Sequence, residues 1–502
     1  SGADLSGPTE PPNAPMRISP LIPLALAFVA LQAPSSAQIS RPGGVSPVVF
    51  KVLKVSPAQS ALHVPRATTS ISVTFNLPVD RSSLASPAFH VMGRFSAMHS
   101  GTFSYSNEGR TMTFVPTKPF SAGEKVLVNI ARTVSTAGGV TLDHGFAWTF
   151  WTDSRASTSQ FTYDATLIPG DTPYGAYGGD IDNDDDLDIC TTNENTSDVS
   201  VFLNDDTGTF GAPTSEAVGW HCSPCDAADF NFDGNVDLAV SNIFHDDVSV
   251  LLGNGDGTFQ PQMRYPVGDQ PRGLALLDAD GDGDIDIATT NRQSGDVSLL
   301  LNTGSGLFAS EFRFQAGVSG ETGISSCDMD NDGILDLVIG GYYSDNVTVR
   351  RGTGNGTFVA HSTRSIGTEP WMVVTGDLNG DGWPDVASPL ASGSAGAGII
   401  MNDGSGGLLP ATSYPAGNFP ISIEIGDMDG DGHLDLSVGA FQGGYFSQFF
   451  NNGDGTFGSP FYITVPQAAS FTIFHDFDGD GDIDLTLLDE IADLVFTYRQ
   501  NG

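Results

Sequence analysis

A nine-residue aspartate run recurs seven times at an almost fixed interval, and no other property of the chain restricts its fold so far. The copies read DIDNDDDLD from Asp180, DFNFDGNVD from Asp229, DADGDGDID from Asp278, DMDNDGILD from Asp328, DLNGDGWPD from Asp377, DMDGDGHLD from Asp427 and DFDGDGDID from Asp476. Successive starts lie 49 or 50 residues apart. A period of that length and regularity means one supersecondary unit repeated in a stack or a ring.

Within the run, positions 1, 3, 5 and 9 are Asp or Asn in every copy, position 6 is Gly in six of seven, and position 7 is unrestricted. Like charge at that density repels itself unless a cation cancels it. A hard cation asks for this pattern: side-chain oxygens at alternate positions, a backbone carbonyl where the side chain is free, and Gly where the chain bends sharply. Oxygen-only donors in a flexible loop favour Ca2+ over zinc, copper or Mg2+. Seven merely solvated acidic turns would admit apolar residues at the four side-chain ligand places, 1, 3, 5 and 9, and none does.

The predicted ligands, with position 7 giving its carbonyl, are Asp180, Asp182, Asp184, Asp186 and Asp188 in the first run, and Asp229, Asn231, Asp233, Asn235 and Asp237 in the second. The third supplies Asp278, Asp280, Asp282, Asp284 and Asp286, and the fourth Asp328, Asp330, Asp332, Ile334 and Asp336. Asp377, Asn379, Asp381, Trp383 and Asp385 follow, then Asp427, Asp429, Asp431, His433 and Asp435, then Asp476, Asp478, Asp480, Asp482 and Asp484. Asp185 replaces the Gly of the first run, so weaker binding or altered geometry is expected there. Up to seven Ca2+, together +14, would move the formal charge from −40 to −26. The folded state should therefore depend on calcium, at affinities of about 10⁻⁴ to 10⁻³ M typical of extracellular modules.

Each repeat reads as four strands. In the third, GLALLD (273–278) is continuously apolar, which predicts a strand buried on both faces; IDIATTN (285–291), DVSLLLN (296–302) and LFASEFRFQ (307–315) follow. Gly-rich turns such as NGDGTF (254–259 and 452–457) precede the fourth strands, and no segment after residue 160 has helical periodicity. Seven four-stranded units fit an all-β propeller of seven blades. The turn Phe precedes the first loop Asp by 19 positions in most repeats, and 19 back from Asp180 is Phe161. The chain stops before a fourth strand of the last blade. A strand near 161–168 is thus expected to pair with 494–499 and latch the ring.

At the start, residues 1–15 read as an upstream extension or disordered lead, and 16–37 as a signal peptide with Ser35 and Ala37 at the −3 and −1 places of a cut. Its short apolar run, broken by Pro20 and Pro23, is not a spanning helix, which needs about 20 apolar residues. Export to the cell surface or medium is expected, with no transmembrane span. The acid is Asp rather than Glu, it accompanies 32 Phe, and all four Lys lie in the first quarter, so nothing resembles a solvating tail or a nucleic-acid surface. Four cysteines are few for exported support. Cys222 and Cys225 form either a local disulfide or two inert thiols, while Cys190 and Cys327 read as small core residues.

The repeats, with their DxDxDGxxD loops and NGDGTF turns, resemble the FG-GAP/VCBS family, whose repeat also builds the integrin α-subunit propeller. The resemblance implies that calcium loops join first and second strands on one face, while ligands meet the opposite face or the clefts between blades. Residues 48–152 alternate apolar and polar residues in short strands, predicting a β-sandwich. SPAQSALHVP and TFNLPVD there resemble the bacterial Ig-like domain of the SbsA type. The expected organisation is this sandwich, a linker at 153–160 separating it from the ring, and a propeller at 161–502. The sandwich is expected to space or present the propeller.

No GxSxG, no HExxH and no His cluster appears, and the conspicuous carboxylates are taken up by calcium. The reading is an exported, monomeric calcium-binding module for an extracellular glycan or protein. Its candidate contacts are Tyr174, Trp220, His221, Arg272, Arg292, Tyr342, Tyr343, Trp371, Phe441 and Tyr445, with Glu369 and Asn291 beside them; the alternative for each is packing between blades. A polysaccharide lyase or related carbohydrate enzyme on the same propeller, and a purely structural surface spacer, are the other two readings.

Overall fold

The computed structural model describes residues 48–500 except Thr68, Asp206 and 393–395. The expected lead and signal peptide lie outside the described residues.

The first body is a two-sheet sandwich. Strands β1 (Val52–Ser56), β2 (Ile71–Phe75), β5 (Gly101–Ser106) and β6 (Thr111–Pro116) make one sheet in the order β1-β2-β6-β5. Strands β3 (Phe89–Gly93), β4 (Ala97–Met98), β7 (Lys125–Ile130) and β8 (Phe146–Trp151) make the other, in the order β4-β3-β7-β8. Alternation does the sorting. Ile71, Val73 and Phe75 of β2 point inward with Met112 and Phe114 of β6, and meet Val126, Val128 and Ile130 of β7. Each such buried side chain contributes about 1.5–3 kcal/mol.

Among the described residues, seven antiparallel four-stranded sheets follow. Their innermost strands are Pro173–Gly179, Cys222–Ala228, Pro271–Leu277, Glu321–Cys327, Val374–Gly376, Pro420–Gly426 and Ala469–His475. The seventh sheet is completed by β9 (Phe161–Leu167), which pairs with Leu494–Gln500 from Val495↔Leu167 to Gln500↔Phe161. The latch is therefore where the repeat arithmetic puts it. Two local expectations differ. The inner strand of the third blade is not buried on both faces: Arg272, Leu274 and Leu276 alternate with buried neighbours because this strand borders the ring axis. The fourth strand of that blade is only Phe312–Phe314, since the turn before it closes on its own Asn302–Phe308 bridge and uses up the preceding residues.

Residues 153–160 do not hold the bodies apart. They lie across two loops: Ser154 Oγ donates to Asp427 O at 3.2 Å, the Arg155 N–H to Gly481 O at 2.7 Å and the Ser157 N–H to Asp429 O at 3.0 Å. The sandwich itself is seated on the same face. Asn129 Nδ2 donates to Asp278 at 2.8 Å, the Arg132 N–H to Gly281 O at 2.7 Å and the Ala147 N–H to Gly333 O at 2.8 Å. Lys118 reaches Asp180 and Asp185 in the first loop, and the His90 ring lies 5.5 Å from that of Phe232 in the second.

Candidate metal centres and the opposite face

The seven loops share one construction. The position 1 carboxylate accepts the N–H of position 6 at 2.7–3.0 Å in loops 2 to 7. That bond needs a left-handed residue, and the six glycines there have φ of 85–104°. Asp185 is held at φ 77° in the first loop, where a side chain is strained. Position 5 accepts the N–H of position 7 at 2.9–3.2 Å throughout. Position 9 is a clip: one oxygen accepts the N–H of position 2, the other an N–H at or just past the end of the third strand, as Asp286 does from Ala279 at 2.9 Å and Asn302 at 2.8 Å. All seven copies repeat it.

Other oxygens are left turned inward. Asp180, Asp182, Asp284, Asp330, Asp427, Asp476 and Asp482 each present a buried oxygen with no hydrogen-bond partner. Three aspartate oxygens lie within 4.8 Å of one another in five loops: Asp180, Asp182 and Asp184; Asp278, Asp280 and Asp282; Asp328, Asp330 and Asp332; Asp427, Asp429 and Asp435; Asp476, Asp478 and Asp484. Burial drives protons onto such groups, raising Asp427 and Asp476 to about 6 and Asp482 to about 7. A dication supplies what these orphaned acceptors lack, so the residues fit one, and each of these clusters can hold a metal ion. Loops 2 and 5 have Asn231 and Asn379 at position 3, whose amides donate to Asp233 at 3.0 Å and Asp381 at 3.1 Å.

The chain also brings its own cations here. Lys118 Nζ lies 2.6 Å from Asp185 and 3.4 Å from Asp180. Arg155 pairs with Asp480 and Asp482 at 3.2 and 3.1 Å, Arg351 with Asp330 and Asp332 at 2.7 and 2.8 Å, and Arg499 with Asp478 at 2.9 Å.

On the opposite face, the residue after each second strand donates its N–H to the turn before the first strand, at 2.9–3.2 Å. This sets a ring of side chains: Glu194, Ile243, Arg292, Tyr342, Ala391, Phe441 and Glu490. The predicted contacts Tyr174, Arg272, Arg292, Tyr342, Tyr343 and Trp371 come together on it. Arg292 lies over the Tyr342, Tyr343 and Trp371 rings at 4.5, 5.4 and 5.1 Å, and Arg272 over Trp371 at 6.0 Å. Trp371 Nε1 donates to Tyr174 Oη at 2.7 Å. Phe441 joins through Phe419 (6.2 Å, and 6.0 Å from Phe419 to Trp371).

Other candidates stand elsewhere. Trp220 and His221 pack on Phe244 at 5.1 and 4.6 Å as a cluster of the second blade, with His221 Nε2 3.1 Å from Glu194. Tyr445 packs against Tyr462 at 5.0 Å. Asn291 is buried and structural, donating to Asp296 and Ser298 at 2.9 Å each. The cysteines are all free and buried, so the disulfide reading of Cys222 and Cys225 does not hold; burial pushes the Cys222 thiol up to about 12, and its Sγ donates to Asn193 O.

Sequence reasoning missed the carboxyls of this face. Burial raises Glu194 to about 7, and burial together with Glu194 raises Glu490 to about 8, while Arg272 pulls both down. Aligning the repeats at the position after the second strand would have found them.

The fold and its loops define a class: a seven-bladed propeller whose blades each open on an aspartate loop, with a sandwich seated over those loops. Family models agree: FG-GAP-like repeats match residues 180–240, 229–289, 278–339 and 328–388, and a bacterial Ig-like domain matches 47–152. The chain is a bacterial Ig-like domain joined to a propeller of FG-GAP-like repeats. No curated protein matches it. Among solved structures it is similar to BBS1N in complex with ARL6DN (TM-score 0.50, 11% identity, 68% of this chain and 97% of that one). It is also similar to an Agrocybe aegerita protein that recognises non-reducing terminal N-acetylglucosamine (0.42, 18%, 80% and 94%) and to a streptogramin B lyase (0.45, 14%, 68% and 97%). At these identities the likeness concerns the fold alone. Among the described residues, no helix is long and apolar enough to cross a membrane.

Proposed function

We propose that the protein is an exported, calcium-loaded propeller that binds an extracellular glycan or protein through the face away from its loops. The observation that carries this is a division of labour between the two faces. Loops 1 to 4, 6 and 7 touch the sandwich or its linker, whereas the opposite face gathers Arg272, Arg292, Tyr342, Tyr343 and Trp371 around one patch. Aromatic faces stack on sugar rings and anchor protein partners, and the guanidiniums lying over them add polar contacts. Ca2+ is the ion this reading assigns, because the donors are all oxygen. A glycan array probed with the calcium-loaded protein, and again in chelator, tests the reading. Binding that falls at least tenfold in Arg292→Ala or Tyr343→Ala supports it. No glycan binding, and no partner captured from an extracellular protein panel, would leave a spacer.

The lyase reading draws on one feature, the carboxyls Glu194 and Glu490 held near neutrality beside Arg272. Its signature is new absorbance from unsaturated uronate when acidic polysaccharide is added.

A further inference from the structure

The sandwich meets the ring axis, and the junction leaves space. A cavity of about 250 Å³ lies between the inner strands of the blades and the sandwich. Its walls are largely apolar: Met92 from β3, Leu274 and Leu276 from the third blade, Ile423 and Ile425 from the sixth and Phe471 from the seventh. An apolar cavity of about 150 Å³ already accepts benzene. This one is larger and is not purely apolar.

Four charges line it. Arg94, just past β3, is committed to Glu424 in a two-pronged ion pair, its Nη2 3.4 Å from Oε2. Lys125 of β7 and Asp226 of the second blade are not so committed. Lys125 Nζ has a single 3.5 Å contact to Ser326 O, and Asp226 accepts the Ala227 N–H at 3.0 Å; no ion pair within 4.0 Å joins the two. Burial opposes both charges, lowering the Lys125 ammonium and raising the Asp226 carboxyl, and their attraction for one another, with that of Arg94 for Asp226, offsets this only in part. Two such groups facing one space call for an occupant that answers both signs.

We infer that the axial cavity binds a small zwitterion with an apolar body, the size of a hydrophobic α-amino acid. Lys125 takes its carboxylate, Asp226 takes its ammonium, and Leu274, Leu276 and Phe471 take its side chain. The occupant reaches the cavity from the free face. A smaller chamber of about 60 Å³ shares Leu274, Met372 and Phe471 with the cavity and ends at Tyr174, Arg272 and Trp371. The Trp371–Tyr174 hydrogen bond, which joins the first and fifth blades, therefore stands in the access path. The inference is independent of what binds outside.

The test uses the calcium-loaded full chain, dialysed free of amino acids and titrated calorimetrically with L-methionine. L-methionine should bind one to one, at least tenfold more tightly than 3-(methylthio)propylamine or 4-(methylthio)butanoate, each of which keeps one charge. Asp226→Asn should weaken L-methionine at least tenfold and remove its advantage over the butanoate. A crystal soaked in L-selenomethionine needs no variant and should show an anomalous selenium peak between Leu276 and Phe471. Failure to bind L-methionine, equal binding of the single-charge analogues, or no selenium peak on the axis would each overturn the inference, and none would touch glycan binding at the free face.

Discussion

Two aspartates of the same loop serve different ends. Asp286 accepts two backbone N–H groups and ties its loop to the end of the third strand, whereas Asp280 lies in the oxygen cluster and accepts only the N–H of Asp282. Asp286→Ala strands two buried donors, at about 1–3 kcal/mol each, so stability measured by urea unfolding should fall by about 2–5 kcal/mol with or without calcium. Asp280→Ala should cost under about 1 kcal/mol in chelator and, at millimolar calcium, lose in addition only the share of the calcium stabilisation that its own loop contributes. Equal losses in chelator would mean that the clip is not structural. The free face gives a pH dependence with a definite sign. Glu490 ionises near 4.5 when unfolded and is raised to about 8 when folded, by burial first and then by Glu194 and Asp489, against Arg272. The folded form thus holds a proton the unfolded form has lost, so its contribution is complete below pH 4.5 and disappears as pH rises through 8. At saturating calcium, Glu490→Gln should lie within about 1 kcal/mol of the wild type near about pH 5 and exceed it by about 3–5 kcal/mol at about pH 8.5, in denaturant melts at both pH values.

Elements were the most legible level. Period-2 alternation and Gly turns fix local strands, and a 49-residue period fixes their number, so the place of β9 in the last blade follows from counting repeats alone. What the alternation could not convey is which face of an inner strand meets the axis: Leu274 and Leu276 look like core residues and line a cavity instead. Nor does an aromatic count separate Trp371, which joins the cluster, from Tyr445, which packs within its own blade. Both depend on which blades adjoin in the closed ring. The seam has one conspicuous fastener. Arg499 reaches Asp164 of β9 at 2.8 Å, Asp478 at 2.9 Å and the carbonyls of Thr207 and Gly208 at 2.9 and 3.1 Å. Arg499→Ala should destabilise by about 1–3 kcal/mol, since its partners are half-buried, and should speed hydrogen exchange in 161–167 and 494–500 before other strands. Uniform acceleration over all blades would contradict a local latch.

At the scale of the whole molecule, the seating of the sandwich was not legible, because complementarity between distant residues appears only once both bodies fold. Arg94 and Glu424 are 330 positions apart, and Lys118 and Asn129 look like ordinary surface residues of a free sandwich. Together these contacts make sandwich and ring one mechanical unit. Arg94 anchors it: its backbone O also accepts the Tyr177 hydroxyl at 2.8 Å, and its guanidinium neutralises Glu424, which is more than nine-tenths buried. Removing one partner of such a pair leaves an uncompensated charge, whereas removing both need not. Arg94→Ala should therefore cost about 2–4 kcal/mol and split one calorimetric transition into two, the sandwich melting first. Arg94→Met with Glu424→Leu should restore most of that stability and a single transition, because an apolar pair of similar size fills the same junction. A wild type that already melts in two steps would show that the two bodies are only loosely coupled, and the cavity between them would then lack a fixed floor.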